Sequence, residues 1–152
     1  LLQALENEAL AHLPSAQLLP RRERIDRLLD VADLPSAWQA LAARRDDADP
    51  LLAGAAASLR AGCPLTAHLL WQQLRRARFL SLADALRMEY ALSLNCCRHP
   101  EFAEGVRARL IDRDNRPRWH WPDVARLDAA VVEAHFAPAW EGEHPLADLR
   151  DS

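Results

Sequence analysis

The sequence predicts an all-α fold, an irregular multi-helix array of short helical hairpins, and three observations carry that expectation. Alanine and leucine are abundant and only 4 of the 152 residues are glycine, a composition that favours helix over strand. Apolar residues recur at intervals of three and four rather than two along most of the chain. Proline interrupts that pattern where one helix has to stop or the next can start, as at Asp49-Pro50 and His99-Pro100. With 50% of its residues hydrophobic, the chain can bury one modest core.

Residues 2–13 carry leucine or alanine at helical intervals and stop at Pro14. From Arg21, the residues Ile25, Leu28, Leu29 and Ala32 fall at i, i+3, i+4 and i+7. That spacing predicts a helix with one apolar face and an arginine-rich opposite face, ending near Asp33. Pro35 then sits in the first turn of a helix carrying Trp38, Leu41 and Ala42, and Asp49-Pro50 starts another that ends at Gly62. Pro64 opens a longer helix with Ala67, Leu70, Trp71, Leu74 and Ala77 on its expected apolar stripe. Ser81, with Asp84 three residues on, forms a capping-box pattern at the head of the next helix. Between Leu82 and Cys97 the apolar side chains point in nearly every direction, so that helix needs partners on several sides. It is either the centre of the domain or a surface that meets another domain or subunit. His99-Pro100 ends it, Phe102, Val106 and Leu110 mark one more helix, a polar turn follows at residues 112–117, and a last helix is expected around Val124 to Phe136.

A formal charge of -3 argues against a nucleic-acid partner, which would call for a clear positive excess. Alternating acids make the arginine groups at 21–27 and 75–78 solvated helix faces whose stems cover apolar surface. No apolar run approaches the roughly 20 residues that span a bilayer, and Glu6, Glu8 and His12 stand where a leader would be apolar. A membrane is therefore not expected as partner, and the cytosol is the expected compartment. Three cysteines, Cys96 and Cys97 adjacent, form no complete disulfide framework and read as reduced packing thiols. The 6 histidines show no metal spacing, and His68 and His135 on apolar stripes read as hydrogen-bonded packing. Glu89 and Glu104 lie on different helices and read as partners of nearby arginines rather than as an acid/base pair. No catalytic residue and no metal ligand is expected. The chain opens on Leu1 in mid-pattern and has its one methionine at Met88, which reads as a piece of a longer protein.

Met88-Glu89-Tyr90, the run Cys96-Cys97-Arg98-His99-Pro100-Glu101-Phe102-Ala103-Glu104-Gly105-Val106-Arg107-Ala108, and Leu110-Ile111-Asp112-Arg113-Asp114-Asn115-Arg116-Pro117-Arg118-Trp119 carry a specific likeness. They resemble the 3-hydroxyisobutyryl-CoA hydrolase-like members of the crotonase, or enoyl-CoA hydratase/isomerase, superfamily, with 102–119 similar to their C-terminal signature. The likeness runs from Pro64 to Pro122, and helix order extends it over Arg21 to Gly62. Two positions depart from the family: Cys63-Pro64 where it usually shows Ser-Pro, and Arg113 for its lysine between two aspartates. A cysteine caps a helix poorly. Arginine keeps the charge but replaces a point ammonium with a planar fork.

The resemblance implies an enzyme whose core, a spiral of β-β-α units, precedes this segment and holds the oxyanion hole and acids of thioester hydrolysis. This chain then serves as the C-terminal helical region, without that core. Its expected divisions are 1–62, short helices leading from the core; 63–136, the main helical region; and 137–152, a tail. Its expected partners are the missing N-terminal core and neighbouring subunits. It binds no cofactor itself; coenzyme A enters as part of the acyl-CoA substrate of the whole enzyme. Arg113, Arg116, Arg118 and Trp119 combine cations with an aromatic plane, which suits the phosphates and adenine of coenzyme A. The plainer alternative is a solvated turn whose end Trp119 and Trp121 tuck onto the helices. A free-standing helical interaction module, using the all-round apolar helix, is the alternative to the enzyme part.

Overall fold

A computed structural model describes residue 9 and residues 12–151. The expected helix over residues 2–13 thus falls almost wholly outside the described residues. Among those described every regular element is helical and no strand occurs, as composition and periodicity require. None of the helices is long and apolar enough to cross a membrane. The chain divides into two compact units, Leu1–Val31 and Ala32–Ser152.

In the first unit a 3-10 turn, Leu19–Arg21, leads into helix α1, Arg22–Leu29. This helix stops short of the expected end near Asp33, because Asp30 leaves the helical region at ψ 65°. Arg22 and Arg27 are exposed, as expected, and Arg24 is half-buried; Arg22 pairs with Asp26 at 3.6 Å, with both side chains well exposed.

In the second unit each of the first helices begins where a local signal tells it to. Asp33 lies extended and accepts the Ser36 N–H, starting α2, Leu34–Ala42, with Pro35 in its first turn. Asp49 accepts the Leu51 N–H and starts α3, Pro50–Ala61, which packs on α2. Aspartate at such positions satisfies donors the helix leaves over, and proline there gives up an N–H that had no partner. Cys63 precedes α4, Pro64–Ala77, without a side-chain cap. Ser81 caps α5, Leu82–Arg98, by accepting the Asp84 N–H at 3.2 Å, while its own hydroxyl donates to the Asp84 carboxylate. His99 turns the chain into α6, Pro100–Val106, which runs on into a wide π-type turn, Arg107–Ile111.

The expected helix over 124–136 is two elements, a 3-10 turn Val124–Arg126 and α7, Ala129–Ala134. Asp123 and Asp128 each cap their own start, and Leu127 between them is extended. That break delivers Leu127 into the core beside Leu65, Leu69, Leu92 and Val132. Helix α4 is central, touching α2, the Val124 turn and α7. Its buried residues are Pro64, Leu65 and Leu69, so the expected stripe through Leu70 and Leu74 is displaced by about one position. Leu70 and Leu74 face outward at 53% and 68% exposure.

Helix α5 finds partners on several sides, as its sequence demands. It buries Ala83, Ala91 and Leu92, and Asn95 donates to the carbonyls of His135 and Ala137 just past α7. Its outer side takes the irregular C-terminal residues: Tyr90 meets the Trp140 ring edge to face at 5.6 Å, and Arg87 donates to the Leu146 and Leu149 carbonyls. Two guanidinium groups of α4 lie over aromatic rings, Arg75 over Trp71 at 4.5 Å and Arg76 over Phe136 at 4.0 Å.

Candidate functional site

The polar turn between the π-type turn and Pro117 is braced from one point. Arg107 grips Glu104 with two hydrogen bonds, 2.8 and 2.9 Å, and also bonds Asp112, Asp114 and the Arg116 carbonyl. A planar fork with five donors makes all five of these bonds at once, which the three donors of a lysine could not. The bonds from Arg107, with the Arg118 backbone N–H donating at 2.6 Å, hold the Glu104 carboxyl down at about 2. The Arg116 N–H, then Arg107, pulls the Asp114 carboxyl below its ordinary value. Glu104, Asp114 and then Asp112 raise Arg107 in return. The chain reverses through two left-handed residues, Arg113 at φ 56° and Asn115 at φ 54°. The Asn115 N–H donates to the Ala108 carbonyl and its side chain accepts from Arg109.

Three of the residues expected to form the site share this turn. Arg113, Arg116 and Arg118 are exposed, and none of their guanidinium groups has a carboxylate within ion-pair distance among the described residues. Arg113 donates only to the Leu110 carbonyl, at 3.4 Å. Trp119 goes elsewhere. Its indole N–H donates to the Ala61 carbonyl at 3.1 Å and its ring lies on Gly105, so it pins the end of the turn to α3 and α6. Glu104 pairs with an arginine as expected, whereas Glu89 accepts from Gln73 at 2.9 Å.

Beside Trp119 lies a cleft of about 370 Å³ that sequence reasoning did not foresee. Its floor is Leu65 and Leu69 of α4, and its open wall is Phe102, Val106 and Leu110. Its polar residues include Cys63, Cys96, His99, Glu101 and His135 from helix ends, with Thr66 and Arg109 also on the lining. Glu101 is only 7% exposed, yet both its oxygens are taken, one by the His120 N–H at 2.6 Å and one by the Cys63 thiol at 3.5 Å. Burial pushes the Cys63 and Cys96 thiols up, so both stay protonated near neutral pH and are poor nucleophiles. Burial, and then the charge of His135, pulls His99 down toward its neutral form. His68 is hydrogen-bonded packing, as expected, through the Val124 carbonyl at 2.7 Å. His135 meets that expectation on one side only: Nδ1 lies 2.7 Å from the Val131 carbonyl, while Nε2 is buried without a partner. No group of three or more metal-ligating side chains gathers among the described residues. The cleft suits apolar matter and offers no activated nucleophile. One signal for it lay in the sequence: the Phe102, Val106, Leu110 spacing, a stripe with nothing assigned to cover it.

Comparison with known proteins places these features. The family profile described as Enoyl-CoA hydratase/isomerase matches residues 1–136. The chain is 31% identical over 116 residues to the mitochondrial 3-hydroxyisobutyryl-CoA hydrolase of Gallus gallus, covering 76% of this chain and 30% of that protein. It is 30% identical over 95 residues to the small ribosomal subunit protein mS47 of Arabidopsis thaliana, covering 60% of this chain and 23% of that protein. The crystal structure of an enoyl-CoA hydratase from Rhodobacter sphaeroides superposes with a TM-score of 0.70 at 29% identity, covering 84% of this chain and 37% of that one. The chain thus spans less than a third of the curated relatives it matches, 22% of the Dictyostelium discoideum 3-hydroxyisobutyryl-CoA hydrolase for example.

Proposed function

We propose a function from one premise: the chain belongs to the enoyl-CoA hydratase/isomerase, or crotonase, family. It acts as the C-terminal helical region of an acyl-CoA-processing enzyme, most like 3-hydroxyisobutyryl-CoA hydrolase. It covers the acyl-CoA site of a preceding core and docks on that core or on a neighbouring subunit. The reaction of the whole enzyme is hydrolysis, in which water adds to the thioester carbonyl and the C–S bond breaks to give a carboxylic acid and the thiol of coenzyme A. By resemblance it serves valine breakdown. The cytosol is the proposed compartment, beside relatives named mitochondrial; cell fractionation decides.

The observation that carries this reading is the division of labour in the turn. Arg107 takes the nearby acids, which leaves the guanidinium groups of Arg113, Arg116 and Arg118 available to phosphate oxygens. Trp119 contributes by anchoring the turn rather than by offering a bare ring. By resemblance the oxyanion hole belongs to the preceding core, and each such donor contributes about 2.7–4 kcal/mol to the transition state.

The chain alone is therefore expected to hydrolyse no 3-hydroxyisobutyryl-CoA above background, while the same chain joined to its upstream core turns it over. Arg113→Glu and Arg116→Glu in the joined protein are expected to raise KM about tenfold or more with kcat kept, the mark of uniform binding lost. Turnover by the chain alone, or KM unchanged in both variants, overturns the reading. The joined protein should also be offered an α,β-unsaturated acyl-CoA, because the hydratase title of the solved neighbour favours hydration as the alternative chemistry. The likeness to a ribosomal subunit protein favours a second reading, a non-catalytic helical interaction module. A joined protein inert toward both thioesters would favour it.

A further inference from the structure

We propose that the cleft beside Trp119 is the seat of the enzyme's core, receiving a large apolar side chain from the polypeptide that precedes this chain. The inference rests on the reading above and names the face it uses. Phe102, Val106 and Leu110 recur at four-residue spacing, a pattern that normally packs into a protein's own core. Here Phe102 is 52% and Leu110 67% exposed, while Leu65 and Leu69 across the cleft are 3% and 4% exposed. One wall is finished and the other waits for contact. The space between them, about 370 Å³, has room for a bulky side chain and its neighbours.

The groups inside it do not call for a charged ligand. Glu101 is already bonded on both oxygens and the thiols are protonated. Arg109 lies exposed at the border, where one of its donors meets Asn115. The comparison does supply a missing neighbour: the matched solved structure extends well beyond the 37% of it that this chain covers. Burying such a surface on a domain of the same polypeptide costs little of the translational freedom that a separate partner would lose.

The test uses the full enzyme with a protease site placed ahead of Leu1, cut and then analysed by size exclusion. The cut pieces are expected to stay together in the wild type and in Leu74→Asp, an exposed position that does not border the cleft. Phe102→Asp with Leu110→Asp should weaken their association at least tenfold with helix content unchanged by circular dichroism. A second readout uses the native thiols: Cys96, which lines the cleft, should alkylate at least tenfold more slowly with the core in place than after its removal. Equal association of the double variant, or equal alkylation of Cys96 in both states, overturns the seat while leaving the proposed function intact. Dimerisation of the chain alone that the double variant abolishes, with core association unaffected, assigns the face to a second copy and overturns it too. If no core is encoded upstream, or the wild-type pieces separate, the proposed function falls and the seat with it.

Discussion

The turn at residues 112–118 and the stretch at residues 139–151 both lack regular structure, and each is organised by one arginine on a neighbouring helical segment. Arg107 holds the turn chiefly through carboxylates, those of Glu104, Asp112 and Asp114. Arg87 holds the C-terminal stretch chiefly through backbone carbonyls, those of Leu146 at 3.1 Å and Leu149 at 2.5 Å, with Asp84 at 2.7 Å as its one acid. The C-terminal stretch has further ties. Trp140 and His144 pack on Tyr90, and Asp151 accepts the Ala83 N–H at the start of α5. One arginine therefore braces a surface turn and depends on the charge of its partners. The other fastens an irregular length of chain over the face of a core helix.

Breaking the second tie should cost most. Arg87→Met removes charge-assisted bonds that tie the Leu146 and Leu149 carbonyls to α5 and leaves them only donors from within the stretch, the Leu149 N–H and Arg150, and it loosens the cover over Tyr90. We expect about 2 kcal/mol less stability, read as a lower urea midpoint, with residues 139–151 cut first in limited proteolysis. A midpoint within error of wild type would show that the aromatic contacts suffice without Arg87. Arg107→Met should act more locally. Amide exchange across residues 112–118 is expected to quicken by about tenfold, with a smaller fall in the urea midpoint than Arg87→Met produces. Arg107→Lys should restore only part of what Arg107→Met loses, since an ammonium has three donors for the five bonds that Arg107 makes. Full rescue by lysine would mean that net charge, not fork geometry, holds the turn.

Acid sharpens the contrast. The Glu104 carboxyl is held at about 2 in the folded chain against an ordinary value of 4.5. A carboxyl lowered on folding contributes stability that is fully present above its unfolded value and lost as pH falls through the folded one. The protection of the turn should therefore be flat from pH 7 to pH 5 and decline from about 4.5 toward 2. Asp114 and Asp151, both lowered, act in the same direction. Glu104→Gln should remove much of the decline at residues 112–118 and leave that of residues 139–151 unchanged. An acid-induced loss of the same size in wild type and Glu104→Gln, followed by amide exchange, would assign the pH dependence to other carboxyls.

What the sequence made legible was local. Pro35, Asp49-Pro50 and Ser81 each announce a helix start, and all three starts are observed; His99-Pro100, expected as the end of one helix, also caps the start of the next. Asp123 and Asp128 carry the same chemistry, but the apolar periodicity across them masked the break that sends Leu127 inward. Stripes fared worse than starts. Leu70 and Leu74 look like core residues by spacing and lie outside, while Phe102 and Leu110 line an open wall. Periodicity reports which face is apolar, not whether this chain supplies the cover. The cleft was hidden for a related reason: Cys63, Cys96, Glu101 and His135 come together from four separate helix ends, and no spacing rule joins them. The C-terminal stretch has no period at all, so its attachment through Arg87 could be found only in three dimensions.

The smallest effect belongs to the backbone of the turn. Arg113 sits at φ 56°, where a side chain with a Cβ is strained, and Asn115 shares the left-handed region at φ 54° with a residue type that tolerates it better. Arg113→Gly should relieve that strain and raise stability by about 0.5–1 kcal/mol, partly offset by the greater freedom of glycine in the unfolded chain. Asn115→Gly should gain less, because it also gives up the bonds to Arg109 and the Arg113 carbonyl. If the three exposed guanidinium groups serve an anionic substrate, the stabilised Arg113→Gly enzyme should bind its thioester more weakly than wild type. A gain in both stability and affinity would mean that Arg113 is held left-handed for some purpose other than meeting phosphate.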